Sequence, residues 1–190
     1  INVALKAAEA GCHLFIEKPL SADTSRISEL IDLVHRKKLT AMVAYQFRFH
    51  PGFAQISQWL KNNELGQPLS ATLVQGDYLP QWHPYEDYRA SYASRKELGG
   101  GVLLTQIHEF DNALHLFGLP RRVFALGGKL SQLEIDVEDT ASVLMECEYA
   151  GKTLPVTIQT DFLQSPPVRN CTIVGESGRI FLDLIDNNIS

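Results

Sequence analysis

The segment Glu17-Lys18-Pro19-Leu20 places a lysine directly after a short apolar run, His13 to Glu17. That run predicts a buried strand, and ligands in parallel α/β sheets bind beyond the carboxyl ends of the strands. A lysine partly removed from water there could exchange protons near neutral pH, because burial disfavours its charged form. An exposed lysine without a function has the same local sequence, so both interpretations stay open.

A second candidate site follows the run Gly99-Gly100-Gly101, which opens a predicted helix from about Val102 to Phe117. The glycines would let the start of that helix approach another backbone or a ligand closely. Polar residues spaced three and four apart predict one polar helix face: Thr105, His108, Asp111, Asn112 and His115. The opposite face is predicted to be apolar: Leu103, Leu104, Ile107, Leu114 and Phe117.

This glycine run does not predict a phosphate loop, because no Gly-Lys-Ser/Thr follows it and GxGxxG is absent from the chain. His108 and His115 lack the acidic or cysteine companions of a metal site, so no metal is expected. By itself, His108 could equally be a structural histidine at a domain boundary.

A third candidate is the loop Tyr78 to Tyr92, which is crowded with aromatic, hydroxyl and guanidinium groups. Such groups suit a pocket for a polyhydroxylated ligand, since aromatic faces stack on C–H bonds and the polar groups donate hydrogen bonds. They also suit a protein interface, and the sequence does not separate the two interpretations.

The surrounding pattern predicts two kinds of structure. A helix from Val3 to Ala10, a strand, a helix from Ser21 to Lys38 and a strand from Thr40 to Phe49 have the order of a parallel α/β sheet. In this interpretation Lys18 and Arg48 both lie at carboxyl ends of strands. A helix from Pro51 to about Asn63 and a strand near Ser70 to Tyr78 follow. Five further strands joined by turns predict a mostly antiparallel sheet packed on helices: Arg122 to Lys129, Thr140 to Tyr149, Lys152 to Thr160, Asn170 to Val174 and Arg179 to Leu184.

Composition excludes several classes of protein. Lys and Arg number 17 against 22 Asp and Glu, so the basic surface of a nucleic-acid-binding protein is missing. No apolar run approaches the roughly 20 residues of a membrane helix. Three cysteines without CxxC spacing favour a reducing cytoplasm. The chain opens without Met inside a helical pattern and closes just after a strand, which indicates a piece of a longer protein.

Three motifs in order, EKPL, AYQFRFHP and GGGVLLTQIHEFDNALHLFG, resemble the Gfo/Idh/MocA family of NAD(P)-dependent oxidoreductases. The resemblance implies that residues 1–49 end a Rossmann domain and that residues 50–190 form an α+β domain for substrate binding and oligomerisation. It implies NAD or NADP as cofactor, with the main nucleotide site missing from this chain, so that the chain alone should be inactive. It also implies a sugar, inositol or related polyol as substrate and a homodimer or homotetramer assembled through the open sheet.

The resemblance also implies roles for particular residues. Lys18 and His108 would be the catalytic pair, Lys18 stabilising an alkoxide and His108 acting as general acid/base. Expected cofactor contacts are Glu17, Lys18, Pro19 and Gln46; expected substrate contacts are Arg48, Tyr88, Arg89, Tyr92, Thr105 and Asp111. Thr105 stands where many relatives carry an acid one turn before the histidine. A binding or regulatory member that has lost chemistry is therefore the alternative, and a purely structural oligomerisation domain is a third reading.

Overall fold

The computed structural model describes all residues, 1–190, and divides them into two compact units, Ile1–Tyr45 and Gln46–Ser190. The boundary lies four residues before the one expected from sequence, so Gln46–Phe49 is part of the second unit. No helix in the structure is long and apolar enough to cross a membrane.

The first unit alternates helices and strands in the order that its sequence predicts. Helix α1 (Asn2–Glu9), strand β1 (Leu14–Ile16), helix α2 (Ile27–Arg36) and strand β2 (Ala41–Val43) follow one another. Gly11, at φ +83°, occupies a left-handed position just after α1, where an L side chain would be strained. Helix α2 is shorter than predicted, because Ala22 to Arg26 form bends and turns. Strands β1 and β2 pair in parallel over a small core that includes Leu5, Ala8, Leu14, Leu30 and Leu33.

The second unit is a seven-stranded sheet with helices on one face. Its helices are α3 (Pro51–Lys61), α4 (Val102–Thr105) and α5 (His108–Phe117). Its strands are β3 (Pro68–Gly76), β4 (Arg122–Gly128), β5 (Thr140–Tyr149), β6 (Lys152–Asp161), β7 (Val168–Gly175), β8 (Gly178–Asp183) and β9 (Asn188–Ile189). The order across the sheet is β4-β5-β6-β3-β7-β8-β9, and every pairing is antiparallel except β3 with β6. The mostly antiparallel α+β prediction is therefore confirmed.

Alternation along the strands builds the main core. In β5, Ala141, Val143, Met145 and Cys147 are buried, while the side chains between them lie on the other face. The buried face packs against apolar residues of α3 and α5, including Phe53, Ile56, Ala113 and Phe117. The opposite face carries exposed apolar side chains: Phe124 and Leu126 of the edge strand β4 and Leu144 of β5.

Candidate active site

Lys18 lies at the carboxyl edge of the parallel pair, as its motif predicts. Ile16 pairs with Val43, so both strands end at the same edge, and the N–H of Ala44 donates to the carbonyl of Ile16 at 2.8 Å. The chain leaves that edge through Glu17-Lys18-Pro19, with a cis peptide bond before Pro19. The N–H of Lys18 donates to the Glu17 carboxylate at 3.1 Å. This edge is the place where parallel α/β sheets bind ligands.

The predicted strand from Thr40 to Phe49 is wrong beyond Val43. The N–H of Tyr45 donates to the carbonyl of Val43 at 2.9 Å, which closes a three-residue γ-turn that ends the strand. Residues Gln46–Phe49 then form a 3-10 helix in the second unit. Gln46 is exposed at its start, and Arg48 lies in this helix rather than at the end of a strand.

The single predicted helix from Val102 to Phe117 is also wrong, because it breaks at Gln106 and Ile107 into α4 and α5. Gln106 has φ −99° and ψ 34°, and its buried side chain donates to the carbonyl of Asp161 at 3.0 Å. The break makes His108 the first residue of α5.

The predicted polar face is largely the buried one. Thr105, His108, Asp111 and Asn112 are buried, whereas His115 is exposed and Leu103, placed on the predicted apolar face, is more than one-third exposed. Burial of charge is tolerated only where partners compensate the lost hydration. The structure supplies such partners for two acids in the first turn of α5.

The first acid, Asp111, binds Arg48 through both carboxylate oxygens. The Arg48 Nε and Nη2 atoms donate to Oδ2 at 2.8 Å and to Oδ1 at 2.6 Å, the two-bond geometry of strong arginine–carboxylate pairs. The Asp111 side chain is 7% exposed and that of Arg48 is 44% exposed. Two expected substrate contacts thus bind each other, and the pair presents its guanidinium to solvent more than its carboxylate.

The second acid, Glu109, was not singled out from the sequence. Arg169 of β7 donates from Nε to Glu109 Oε1 at 2.8 Å, and the side chains are 16% and 2% exposed. The Arg169 guanidinium also lies 3.9 Å from the centroid of the Phe47 ring. Phe47 in turn packs edge-to-face with His108, with ring centroids 4.9 Å apart. In the sequence, Glu109 directly follows the candidate histidine, His108, and this position could have indicated it. No residue next to Arg169 indicates a role in the site, because Arg169 lies 60 residues further along the chain.

Close to this group lies a buried thiol, that of Cys171. Burial, together with the negative charge of nearby Glu109, raises the pKa of Cys171 to about 12. The thiol therefore stays protonated at neutral pH. No group of three or more His, Cys, Asp or Glu side chains in the structure is arranged to hold a metal ion.

The aromatic loop has its own set of partners. Arg89 donates to Asp87 at 2.9 Å and to Glu134 at 3.0 Å, and the Tyr88 hydroxyl accepts from the backbone N–H of Glu134 at 3.3 Å. Hydrogen bonds to these two carboxylates raise the pKa of the exposed Arg89 above its ordinary value. Tyr92 remains half-exposed. The structure thus uses Tyr88 and Arg89 to hold the Glu134 segment.

The glycine run lets other groups approach its backbone closely, as predicted, and these groups belong to the protein itself rather than to a ligand. A Cβ on Gly100 would lie 2.4 Å from the carbonyl oxygen of Tyr92, and a Cβ on Gly101 would lie 2.3 Å from the Glu138 carboxylate. Glu138 also accepts from the backbone N–H of Leu103 at 3.2 Å. The Glu138 carboxylate therefore already accepts a hydrogen bond from a backbone N–H in the first turn of α4.

Comparison with known proteins gives a consistent result. Residues 53–181 match the Gfo/Idh/MocA C-terminal domain, and residues 1–45 match the oxidoreductase family with an NAD-binding Rossmann fold. The chain is 33% identical over 148 residues to the uncharacterized oxidoreductase YrbE of Bacillus subtilis, covering 75% of this chain and 40% of that protein. It is 27% identical over 188 residues to the myo-inositol 2-dehydrogenase of Thermotoga maritima, covering 96% of this chain and 52% of that enzyme.

A solved structure shows the same fold. The WlbA dehydrogenase of Bordetella pertussis, crystallised with NADH and UDP-GlcNAcA, superimposes with a TM-score of 0.84 at 22% identity. The match covers 98% of this chain and 53% of that one. The present chain therefore spans about half the length, or less, of the proteins it matches.

Proposed function

Because this chain belongs to the Gfo/Idh/MocA family of oxidoreductases, we propose that the whole protein transfers a hydride between NAD or NADP and a sugar, inositol or related polyol. The observation that carries the proposal is the position of Lys18 at the carboxyl edge of the parallel pair, within the segment that matches the NAD-binding family. Similarity to a myo-inositol 2-dehydrogenase over nearly the whole chain supports the substrate class.

In this proposal a bound NAD or NADP would supply the hydride acceptor or donor, and the chain's own residues handle the hydroxyl proton. During oxidation His108 takes the proton from the substrate hydroxyl, and during reduction it returns one to the same oxygen. The Lys18 ammonium stabilises the negative charge that develops on this oxygen. Arg48 and Tyr92, both partly exposed, donate to or stack on further parts of the polyol.

Several contacts expected from the sequence remain part of the proposal. Glu17, Pro19 and Gln46 would line the nicotinamide end of the cofactor. The chain contains no GxGxxG loop, so the pyrophosphate would bind to another part of the whole protein, and the 190-residue chain alone would not turn over. The exposed apolar side chains Phe124, Leu126 and Leu144 support assembly of two or four copies through the open sheet face.

One observation favours a second candidate function. Thr105 is buried three residues before His108, at the end of α4, and carries a hydroxyl where a carboxylate would assist proton transfer. A member of the family that binds a polyol without converting it would tolerate this residue.

The deciding experiment follows nicotinamide absorbance while the whole protein is offered NAD or NADP and a panel of sugars, inositols and sugar acids. We expect a substrate-dependent signal that falls about 10²- to 10⁴-fold in kcat for Lys18→Met and for His108→Ala. Matched controls are Lys61→Met and His115→Ala, because Lys61 and His115 are exposed residues on α3 and α5. Near-normal rates in both site variants would refute the assignment. Saturable polyol binding without any absorbance change would favour the second candidate.

A further inference from the structure

The first turn of α5 directs two acids toward different parts of the second unit. Successive helix residues are rotated by about 100°. Glu109 is therefore about 100° to one side of His108, and Asp111 is about 60° to the other side. The histidine occupies the sector between the two carboxylates.

The partners of these acids complete a closed circuit. Glu109 binds Arg169 of β7, and the Arg169 guanidinium carbon lies over the Phe47 ring. The next residue, Arg48, binds Asp111 back on α5. We call these five residues the arginine collar: Phe47, Arg48, Glu109, Asp111 and Arg169. Within it, the Phe47 ring contacts the His108 ring, with 4.9 Å between centroids.

We propose that the arginine collar positions the imidazole of His108, with Arg169 as its central positioning residue. This inference rests on the proposed function of His108 as the proton-transfer group. Two ion pairs on opposite sides fix the rotation of the first turn of α5, and the Phe47 ring restricts the space open to the imidazole. Taking Glu109 and Arg169 out of water costs free energy, so a buried pair at this place is better explained by the geometry it imposes than by stability.

The chemistry of the guanidinium explains why an arginine stands at residue 169. A planar guanidinium can lie flat on the Phe47 ring and donate in its own plane to Glu109 at the same time. An ammonium is a point charge without a plane, so a lysine would keep the charge but lose the simultaneous stacking and hydrogen bonding. Arg169→Lys is therefore a selective test of position at constant charge.

Charge at the collar also acts on His108. Charged groups on the elements near the imidazole include Glu109 and Asp111 on α5, Arg48 on the 3-10 helix and Arg169 on β7. The Cys171 thiol is neutral, and His50 stacks on the Phe47 ring. The distances through Phe47, 3.9 Å and 4.9 Å, place the Arg169 guanidinium within about 9 Å of the His108 ring. In Glu109→Gln that cation loses its counter-charge, which disfavours protonation of the imidazole.

The test combines kinetics of the whole protein with an NMR signal that does not depend on turnover. For Arg169→Lys we expect kcat to fall about 10- to 100-fold with KM nearly unchanged, since a small misplacement of a reacting group lowers the rate by such factors. For Glu109→Gln we expect the acid limb of the kcat/KM profile to move down by up to about 1 pH unit. The ring-nitrogen signals of His108 should broaden or split in Arg169→Lys.

The matched control is Arg122→Lys. Arg122 is an exposed arginine on the edge strand β4, and its Nε atom donates to the Glu146 carboxylate of β5 at 2.7 Å. It should leave kcat, the pH profile and the His108 signals unchanged. Tryptophan fluorescence checks that each variant is folded. If folded Arg169→Lys keeps kcat within twofold and sharp His108 signals, the collar does not position the histidine. If the wild type shows no turnover, the proposed reaction is wrong, and the NMR comparison still decides whether Arg169 orders the ring.

Discussion

Replacing Gly100 by alanine tests the packing that joins the glycine run to the aromatic loop. An added Cβ would lie 2.4 Å from the carbonyl oxygen of Tyr92 and 2.6 Å from that of Ala93. Both atoms belong to the backbone, and the Ala93 carbonyl is already held by the N–H of Gly101 at 2.9 Å. Gly100 does not have a positive φ, unlike Gly99 and Gly101, so lack of space alone determines the effect.

The magnitude follows from two opposing contributions. Overpacking a fixed environment costs about 1–3 kcal/mol, and the upper end applies because neither carbonyl can move by rotating a side chain. Alanine also reduces the freedom of the unfolded chain, which offsets about 0.4–1 kcal/mol. We expect a net loss of about 2 kcal/mol in the free energy of unfolding. For a chain of this size that loss lowers the Tm by about 4–8 °C.

Urea unfolding followed by tryptophan fluorescence isolates the relevant unit, because both tryptophans, Trp59 and Trp82, lie in Gln46–Ser190. The matched control is Gly52→Ala, whose Cβ would lie 2.5 Å from a methyl carbon of Leu182. That neighbour is the end of a side chain, which can move, so the control should lose much less stability. A cost for Gly100→Ala no larger than that of Gly52→Ala would refute the reasoning.

Three further predictions concern charge, assembly and capping. Burial raises the pKa of Asp139, but hydrogen bonds from the Leu130–Ser131 segment bring it below its ordinary value. Its stabilisation is therefore present above the unfolded pKa and is lost as pH falls through the folded pKa. Asp139→Asn should lower the free energy of unfolding by about 1–2 kcal/mol at pH 7. It should also make the urea midpoint less sensitive to acid below about pH 4, and the midpoints measured at pH 7 and pH 3 would show this. Leu126→Glu on the open sheet face should shift the whole protein toward monomer in analytical ultracentrifugation. Val123→Glu, on the other face of β4, should not, and equal effects of the two variants would argue against the open face as the interface. His50→Ala removes the imidazole that accepts from the first turn of α3 and should cost about 1 kcal/mol in urea unfolding, with no loss if water caps the helix equally well.

Local pattern alone was enough to predict most elements of this chain. Strand β5 was predicted from Thr140 to Tyr149 and has those bounds, because alternating apolar residues and the following Ala150-Gly151 turn are local signals. The left-handed Gly11 after α1 and the position of Lys18 after β1 were likewise readable from neighbouring residues. The motifs also identified the family, since their order and spacing are properties of the sequence.

Contacts between distant residues decided what the sequence alone did not predict. The break at Gln106 reflects a hydrogen bond to Asp161, 55 residues away, and helical periodicity contains no trace of it. The buried side of α5 is partly polar because Arg48 and Arg169, from two other elements, compensate Asp111 and Glu109. Periodicity reports which residues share a face, but whether a charged face can be buried depends on partners that only the folded chain brings together.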